Sequence, residues 1–197
     1  PNLSGITLER LRDQGSIRLD VEDGEAPFAQ GRFPTPSGKC ELSSERMKAD
    51  GFDPLPTYIP PHEDPQTKPD LASRYPIQLL SPPRPQSLNS TFANSSRHRT
   101  DAGDPTIEMA EVDAQARGLV AGQWVEVYND RGSFRSRVAL NRTVRPGVAV
   151  ALGIYWNKLS PGRTNVNNTT SSALTDMGGG ATFFDNLVEV RTIDLDE

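Results

Sequence analysis

Three polar segments, rich in small side chains, hold the residues of this chain that are best suited to chemistry. They are residues 81–84 (S-P-P-R), residues 89–97 (N-S-T-F-A-N-S-S-R) and residues 165–172 (N-V-N-N-T-T-S-S). Asparagine, serine and threonine donate and accept hydrogen bonds without changing charge near neutral pH. Such segments favour recognition of a heterocycle edge or a pyrophosphate over acid–base catalysis. The same residue types also populate ordinary turns, which is the simpler interpretation from composition alone.

The sequence contains no motif for nucleophilic catalysis. It has no G-x-S-x-G elbow, no Walker loop and no G-x-G-x-x-G after a predicted strand, and the glycine triplet at residues 178–180 is more typical of a connector. The single cysteine, Cys40, excludes an internal disulfide, a protein-built iron–sulfur cluster and a Cys-rich zinc site within this chain. His62 and His98 lie far apart, so we predict no metal site and no catalytic residue here.

The distribution of charge argues against nucleic acid as a partner. Residues 1–70 carry 8 Lys and Arg against 13 Asp and Glu, whereas residues 71–197 carry 13 of each. Nucleic-acid binding needs a basic face, which a neutral second part does not provide. The chain has no long uncharged apolar run and no basic-then-apolar leader, so we expect no membrane segment and no signal peptide. The compartment stays open, with the cytoplasm favoured.

The placement of proline divides the chain. Thirteen of the 17 prolines lie in residues 27–85, and proline removes an amide donor and fixes φ. We therefore predict that residues 27–75 form an extended arm, with disorder as the alternative because the stretch is polar and charged. A short helix at residues 44–49, which ends before Gly51, interrupts the arm. The predicted domains are a leading segment with this arm over residues 1–73, and a barrel domain over residues 74–197.

Alternation of apolar and polar residues predicts that the second part of the chain is mainly β. The predicted strands cover residues 77–80, 123–128, 133–140, 148–152 and 187–191. The residues predicted to form the apolar faces of the three middle strands are Val125, Val127, Phe134, Val138, Leu140, Val148, Val150 and Leu152. Short connections between such strands favour one closed or packed sheet.

Two short segments predict a helix and a turn between these strands. Residues 111–118 predict a helix with Asp113 as N-cap and Gly118 as its stop. Residues 129–132 (N-D-R-G) predict a turn in which Gly132 takes a position with positive φ.

A faint internal repeat accompanies the strands. Residues 120–125 (V-A-G-Q-W-V) resemble residues 144–149 (V-R-P-G-V-A). Each places a glycine turn before a strand, which suggests a barrel with pseudo-twofold symmetry, although such turns are common.

A resemblance to a known family begins in the arm. Residues 33–45 (F-P-T-P-S-G-K-C-E-L-S-S-E) resemble the T-P-S-G-K-x-E segment of the dimethyl-sulfoxide-reductase family of molybdopterin oxidoreductases, where it leads into the C-terminal domain. Residues 79–82 (L-L-S-P) and 89–94 (N-S-T-F-A-N) resemble the L-L-T-P and H-S-T-F-A-N stretches that open that domain. Residues 107–119 (I-E-M-A-E-V-D-A-Q-A-R-G-L) resemble its element that ends in D-A-x-x-R-G-I.

Further segments continue the resemblance in family order. Residues 122–132 (G-Q-W-V-E-V-Y-N-D-R-G) are similar to the family's G-D-W-V-x-V-x-N-x-R-G strand pair, and residues 145–148 match its R-P-G-V turn. Residues 174–176 (L-T-D) fall where the family has a Leu-Thr loop. The departures are Asn89 in place of the family's histidine and Gln123 in place of its aspartate.

The resemblance implies a fold and a cofactor. The fold is mainly β, a double-psi β-barrel with short helices, preceded by the extended proline-rich arm. The cofactor is molybdopterin guanine dinucleotide, bound jointly with upstream domains of the same polypeptide in a molybdenum or tungsten oxidoreductase. Molybdenum and an iron–sulfur cluster belong to the full-length protein only, and an electron-transfer subunit is a further implied partner.

The resemblance also implies which side chains contact the cofactor. These are Ser81, Pro82, Arg84, Ser90, Thr91, Asn94, Asn129, Asp130, Arg131, Asn167 and Asn168. Arginines would face phosphates, where charge-assisted hydrogen bonds are strongest, and asparagines would meet guanine or pterin edges. Redox chemistry belongs to the metal and the pterin, so we expect no catalysis by the isolated chain.

A free-standing barrel that serves protein interaction or substrate recognition is the alternative interpretation. It predicts a start codon near Pro1, whereas the cofactor-binding interpretation predicts a reading frame that extends upstream by several domains. A barrel decarboxylase or protease is disfavoured, because the loops offer no combination of nucleophile, base and orienting group. Neither interpretation identifies a substrate.

Overall fold

A computed structural model describes residues 3–24, 26–85 and 87–193 of the chain. It contains two compact units, Pro1–Tyr58 and Ile59–Glu197. Across the described ranges, no helix is long and apolar enough to cross a membrane.

The first unit consists of short helices and turns. Helices α1 (Leu8–Gln14) and α2 (Glu45–Ala49) each follow a hydroxyl residue, Thr7 or Ser44, whose side chain accepts a backbone hydrogen bond from the first turn. The helix predicted to end before Gly51 is therefore confirmed. None of the described residues of this unit is buried, so its order rests on local hydrogen bonds rather than on buried apolar area.

The second unit is built around six strands with short helices between them. The strands are β1 (Ile77–Leu80), β2 (Thr106–Met109), β3 (Trp124–Asn129), β4 (Gly132–Leu140), β5 (Val148–Ala151) and β6 (Leu187–Thr192). The helices are α3 (Pro69–Arg74), α4 (Ser96–Ala102), α5 (Glu111–Gln115) and the 3₁₀ helices Asn157–Leu159, Pro161–Arg163 and Val166–Thr169. All five predicted strands are confirmed to within a few residues. β2 is not among the predicted strands, and only two of its residues, Ile107 and Met109, are apolar.

The strands close into a barrel in the order β1-β5-β2-β4-β3-β6. The β1–β5 and β2–β4 pairs are parallel, and the other four pairs are antiparallel. Alternate side chains of each strand point into the barrel and form one apolar core. This core includes Ile77, Leu79, Ile107, Met109, Val125, Val127, Phe134, Val138, Ala149, Ala151, Val188 and Val190.

Two of the predicted apolar faces need correction. On β5 the buried residues are Ala149 and Ala151, whereas Val148, Val150 and Leu152 are only partly buried. Near the end of β4, Leu140 is exposed although Phe134 and Val138 face the core. Small side chains suffice on β5 because the interior of a closed barrel of this size is narrow.

The strand order has the pseudo-twofold symmetry that the sequence suggested. Exchange of β1 with β4, β2 with β5 and β3 with β6 maps every strand pair onto a pair of the same orientation. The two segments of the sequence repeat are not symmetry equivalents. Residues 120–125 and 144–149 lead into β3 and β5, and the symmetry does not exchange these two strands. Their glycines, Gly122 and Gly147, share a φ of 80° because each forms a tight turn before a strand.

Asp113 does not cap helix α5 as predicted. The helix begins one turn earlier, with Ala110 as its N-cap. The Asp113 carboxylate instead accepts a hydrogen bond of 2.8 Å from the backbone N–H of Gly147. Asp113 therefore holds the turn between β4 and β5 against the helix.

Candidate functional site

Three connections between strands open at one end of the barrel, here called the loop end. β1, β3 and β5 run in the same direction, since β1 is parallel to β5 and both β1 and β3 are antiparallel to β6. The connections that follow these strands, residues 81–105, 130–131 and 152–186, therefore all begin at this end. Every predicted cofactor contact lies in these connections or, for Asn129, at the last residue of β3.

Arg84 joins two of the three connections. Its guanidinium donates to the carbonyl oxygens of Leu152 (3.2 Å) and Ala102 (2.9 Å) and to the hydroxyl of Tyr155, whose ring lies 4.7 Å below it. A Cβ at the buried Gly153 would lie 2.9 Å from Arg84 Cγ, so glycine is required for this close approach. Arg84 is thus engaged within the protein rather than free to face a phosphate.

The segment that follows Arg84 presents unpaired polar side chains. Ser90, Thr91 and Asn94 are exposed, and their side chains make no hydrogen bond to any described part of the protein. The segment is anchored by Trp156, whose indole N–H donates to the Ser90 carbonyl oxygen at 2.8 Å. Ser81 and Pro82, directly after β1, are partly buried. The Pro82 carbonyl oxygen accepts a hydrogen bond of 2.9 Å from the Gly153 N–H.

A small pocket that is open to solvent lies beside this segment. Phe92 stacks on the His98 ring at 5.1 Å and forms one wall, together with Ile154 and Tyr155. Asn89 lies on the rim, and both Asn89 and Phe92 adopt positive φ. Backbone strain of this kind is tolerated where surrounding contacts hold it, often at binding sites. The pocket is thus lined by aromatic side chains, with an amide at its edge.

Asn129 bonds the end of β3 to the connection 152–186 and to the first residue of β6. Its amide nitrogen donates to the Thr169 and Leu187 carbonyl oxygens and to Asn186 Oδ1, at 2.9 to 3.1 Å. Its amide oxygen accepts from the Arg131 backbone N–H. Asn129 therefore has internal partners on both sides of its amide.

Arg131 is likewise engaged within the protein. It forms an ion pair with Glu63 through two hydrogen bonds and donates to the Thr169 carbonyl oxygen at 2.7 Å and to Asn186 Oδ1 at 3.1 Å. The Glu63 side chain is 11 % exposed and that of Arg131 is 32 % exposed. A guanidinium held this way fixes loops and has little capacity left for a phosphate.

Asp130, between these two residues, faces a different pair of donors. Its carboxylate accepts from the Arg74 guanidinium at 2.7 and 2.8 Å and from the Tyr75 hydroxyl at 2.7 Å. These hydrogen bonds, Arg74 first, lower the pKa of Asp130 to about 2, and the same contact raises the pKa of Arg74. Asp130 therefore stays ionised and ties the β3–β4 turn to helix α3.

Gly132 is required by close packing and not by positive φ, which corrects the sequence prediction. A Cβ at this position would lie 2.8 Å from the Asn168 carbonyl oxygen. The 3₁₀ helix Val166–Thr169 thus packs directly on the β3–β4 turn. Asn168 accepts from the Asn165 N–H at 3.1 Å, whereas the exposed Asn167 side chain makes no hydrogen bond to the described residues.

Residues 77–187 match the family profile described as "Molydopterin dinucleotide binding domain". The chain belongs to this family. The matched range covers all of the barrel except most of β6, together with the three connections of the loop end.

Relatives of this domain are much longer proteins. The chain is 38% identical to probable oxidoreductase YoaE of Bacillus subtilis over 98% of its own length and 27% of that protein. It is 30% identical to dimethyl sulfoxide reductase DmsA of Escherichia coli over 95% of its length and 25% of that protein. The chain therefore spans about a quarter of the relatives it matches, and the resemblance to the dimethyl-sulfoxide-reductase family is confirmed.

A solved structure shares the fold of the domain. "Acetylene Hydratase from Pelobacter acetylenicus" superposes with a TM-score of 0.76 at 23% identity, over 96% of this chain and 28% of that one. The likeness supports the mainly β barrel.

The donor groups left at the loop end of the domain fit a dinucleotide. Exposed hydroxyls and amides suit heterocycle edges, and three exposed arginines on the connections make no side-chain hydrogen bond to the described residues. These arginines are Arg97, Arg99 and Arg163. Guanidinium groups match the oxygens of a pyrophosphate through paired hydrogen bonds.

Three further residues of this end had no role predicted from the sequence, although Thr169 lies in the polar segment 165–172. Glu63 falls in the proline-rich segment, and Thr169 and Asn186 look like ordinary loop residues. The structure buries all three among the connections. No local pattern distinguishes them, because their partners lie up to 124 positions away in the chain.

Proposed function

We propose that the loop end of the barrel holds molybdopterin guanine dinucleotide, together with other domains of a longer molybdenum or tungsten oxidoreductase. The observation that carries the proposal is that some polar residues of this end bond to the protein itself, whereas others are exposed and make no side-chain hydrogen bond to the described residues. Arg84, Asn129 and Arg131 bond the connections to one another, and Asp130 bonds the β3–β4 turn to helix α3. Five other predicted contacts leave exposed donors and acceptors: Ser90, Thr91, Asn94, Asn167 and Asn168. A site of this kind binds by position and electrostatics, while the bound cofactor supplies the redox chemistry.

The residues with free hydrogen-bonding capacity are the proposed contacts. Ser90, Thr91 and Asn94 would meet one part of the cofactor, and Asn167 and Asn168 another. The exposed arginines of the connections would neutralise the pyrophosphate. Arg84, Asn129, Asp130 and Arg131, by contrast, would shape the site without contacting the cofactor.

The activity of the longer protein is a separate proposal. The relatives carry names as different as oxidoreductase and hydratase, so the substrate would be selected outside this chain. We infer that molybdenum, an iron–sulfur cluster and contacts with an electron-transfer subunit belong to the other domains. The isolated chain should show no turnover.

Asn167 provides the cleanest test of the site. Asn167→Ala in the full-length enzyme should lower cofactor affinity about five- to hundredfold, since a buried partner group on the cofactor would lose its hydrogen bond. Asn168→Ala should act similarly but also removes the bond to the Asn165 N–H. The measurement is guanine nucleotide released from denatured enzyme, per mole of protein.

Gln115→Ala is the matched control, because it truncates an exposed amide at the opposite end of the barrel. It should retain full cofactor content. Full occupancy and unchanged cofactor release in both asparagine variants would disprove the assignment of these loops to the cofactor.

A further inference from the structure

Glu63 is a buried carboxylate in a segment that precedes the barrel. One oxygen accepts from the Arg131 guanidinium, and the other accepts from it at 3.0 Å and from the Leu187 backbone N–H at 3.0 Å. The neighbouring His62 is held as well, since its backbone N–H donates to Asp185 Oδ2 at 2.8 Å and its ring contacts the Leu174 carbonyl oxygen at 2.9 Å. This segment is therefore fastened to the connection between β5 and β6.

Arg131 connects Glu63 to the 3₁₀ helix Val166–Thr169, which includes Asn167 and Asn168. It donates to the carbonyl oxygen of Thr169, the last residue of that helix. Asn186 accepts from Arg131 and donates to the Thr169 hydroxyl at 2.9 Å, and that hydroxyl donates to the Val166 carbonyl oxygen at 2.8 Å. Both ends of the helix are thus bonded, directly or through one residue, to the Glu63–Arg131 pair.

We infer that Glu63 is a positioning residue for cofactor binding, acting through Arg131 on Asn167 and Asn168. The inference rests on the function proposed above. A carboxylate is needed because the guanidinium fork and the Leu187 N–H together require two acceptor oxygens, and a glutamine offers one. Without both acceptors, the Arg131 guanidinium is held less firmly, and its hydrogen bond to the Thr169 carbonyl oxygen weakens, which leaves Asn129 as the other donor to that oxygen.

The test compares two ion pairs of similar burial in the full-length enzyme. Glu189 pairs with Arg117 through two hydrogen bonds, and these side chains are 23 % and 16 % exposed. Arg117 lies just beyond helix α5, in the connection that follows β2, and Glu189 lies on β6 opposite Tyr128. Neither residue is bonded to the 3₁₀ helix Val166–Thr169 among the described hydrogen bonds. Glu63→Gln and Glu189→Gln should lower the thermal midpoint comparably, because each breaks one partly buried pair.

Only Glu63→Gln should also accelerate cofactor release, by about tenfold, since a bond to a charged group has an effect of this order. To measure release, the enzyme is passed through a gel-filtration column after timed incubations. The cofactor that is still bound is then hydrolysed, and its guanine nucleotide is quantified per mole of enzyme. Glu63→Asp keeps the charge and should give a smaller acceleration, and it replaces Glu63→Gln if that variant does not fold.

A triple variant separates positioning from general destabilisation. If Glu63 acts through Asn167 and Asn168, Glu63→Gln should add little to the release rate of a protein that already carries Asn167→Ala and Asn168→Ala. Full additivity, or equal release from the Glu63 and Glu189 variants, would overturn the positioning role. If the asparagine variants alone leave release unchanged, the proposed site itself fails, which is a distinct outcome.

Discussion

The first unit and the barrel unit of this chain are stabilised by different interactions. The described residues of the first unit form capped helices and turns without one buried side chain. The barrel unit closes six strands around an apolar core and adds partly buried ion pairs at its surface. Burial of apolar area is the main source of folding free energy, so the comparison implies that stability is concentrated in the second unit.

Limited proteolysis should produce the largest contrast between the units. Segments held by local hydrogen bonds open at almost no free-energy cost, whereas core strands open only with global unfolding. Cleavage within residues 3–58 should therefore be at least about a hundredfold faster than cleavage within the strands. The expected stable fragment begins near Ile59, since His62 is bonded to Asp185 and Glu63 is bonded to Arg131 and Leu187.

N-terminal sequencing of that fragment checks the prediction. A fragment that begins near Arg74 instead would support the domain boundary expected from the sequence and would indicate that the Glu63 bonds open readily. Early cleavage inside a strand would contradict the comparison itself.

A pair of alanine substitutions sharpens the comparison. Ile107 is fully buried in β2, so Ile107→Ala should lower the free energy of unfolding by about 2–5 kcal/mol. Leu42 in the first unit is 79% exposed, and Leu42→Ala should change the free energy of unfolding by less than about 0.5 kcal/mol. Urea unfolding measures both. Equal losses would mean that Leu42 is buried in solution.

The smallest expected effect is the pH dependence that Asp130 confers. Its pKa is lowered to about 2 in the folded protein, so its contribution to stability is fully present above its unfolded pKa near 3.9. That contribution is lost as the pH falls through about 2. Asp130→Asn should therefore be less sensitive to pH between about 4 and 2, as measured by urea midpoints across that range.

Asp101→Asn provides the comparison for this titration. The Asp101 carboxylate, on helix α4, makes no side-chain hydrogen bond to the described residues. The variant should keep the pH dependence of the parent. Identical pH profiles for all three proteins would show that the Arg74–Asp130 contact does not persist in solution.

The sequence predicted five of the six strands, the short helix after Ser44 and the family because these depend on local or ordered patterns. Alternation in residues 123–128 and 133–140 survives any tertiary arrangement that buries one face. The family motifs lie in chain order and need no knowledge of contacts. For the same reason, the loops that converge at one end of the barrel could be named before their convergence was visible.

Tertiary structure alone decided what the polar residues of those loops do. Arg131 and Arg84 are predicted phosphate ligands by residue type, yet each is bonded to groups that lie tens of positions away in the chain. Gly132 is a turn glycine by sequence, whereas the carbonyl oxygen of Asn168 is what excludes a side chain there. Closure of the barrel likewise determines that Ala149 and not Val148 faces the core. Sequence patterns report local periodicity and residue type, and these outcomes depend on which distant segments the barrel brings into contact.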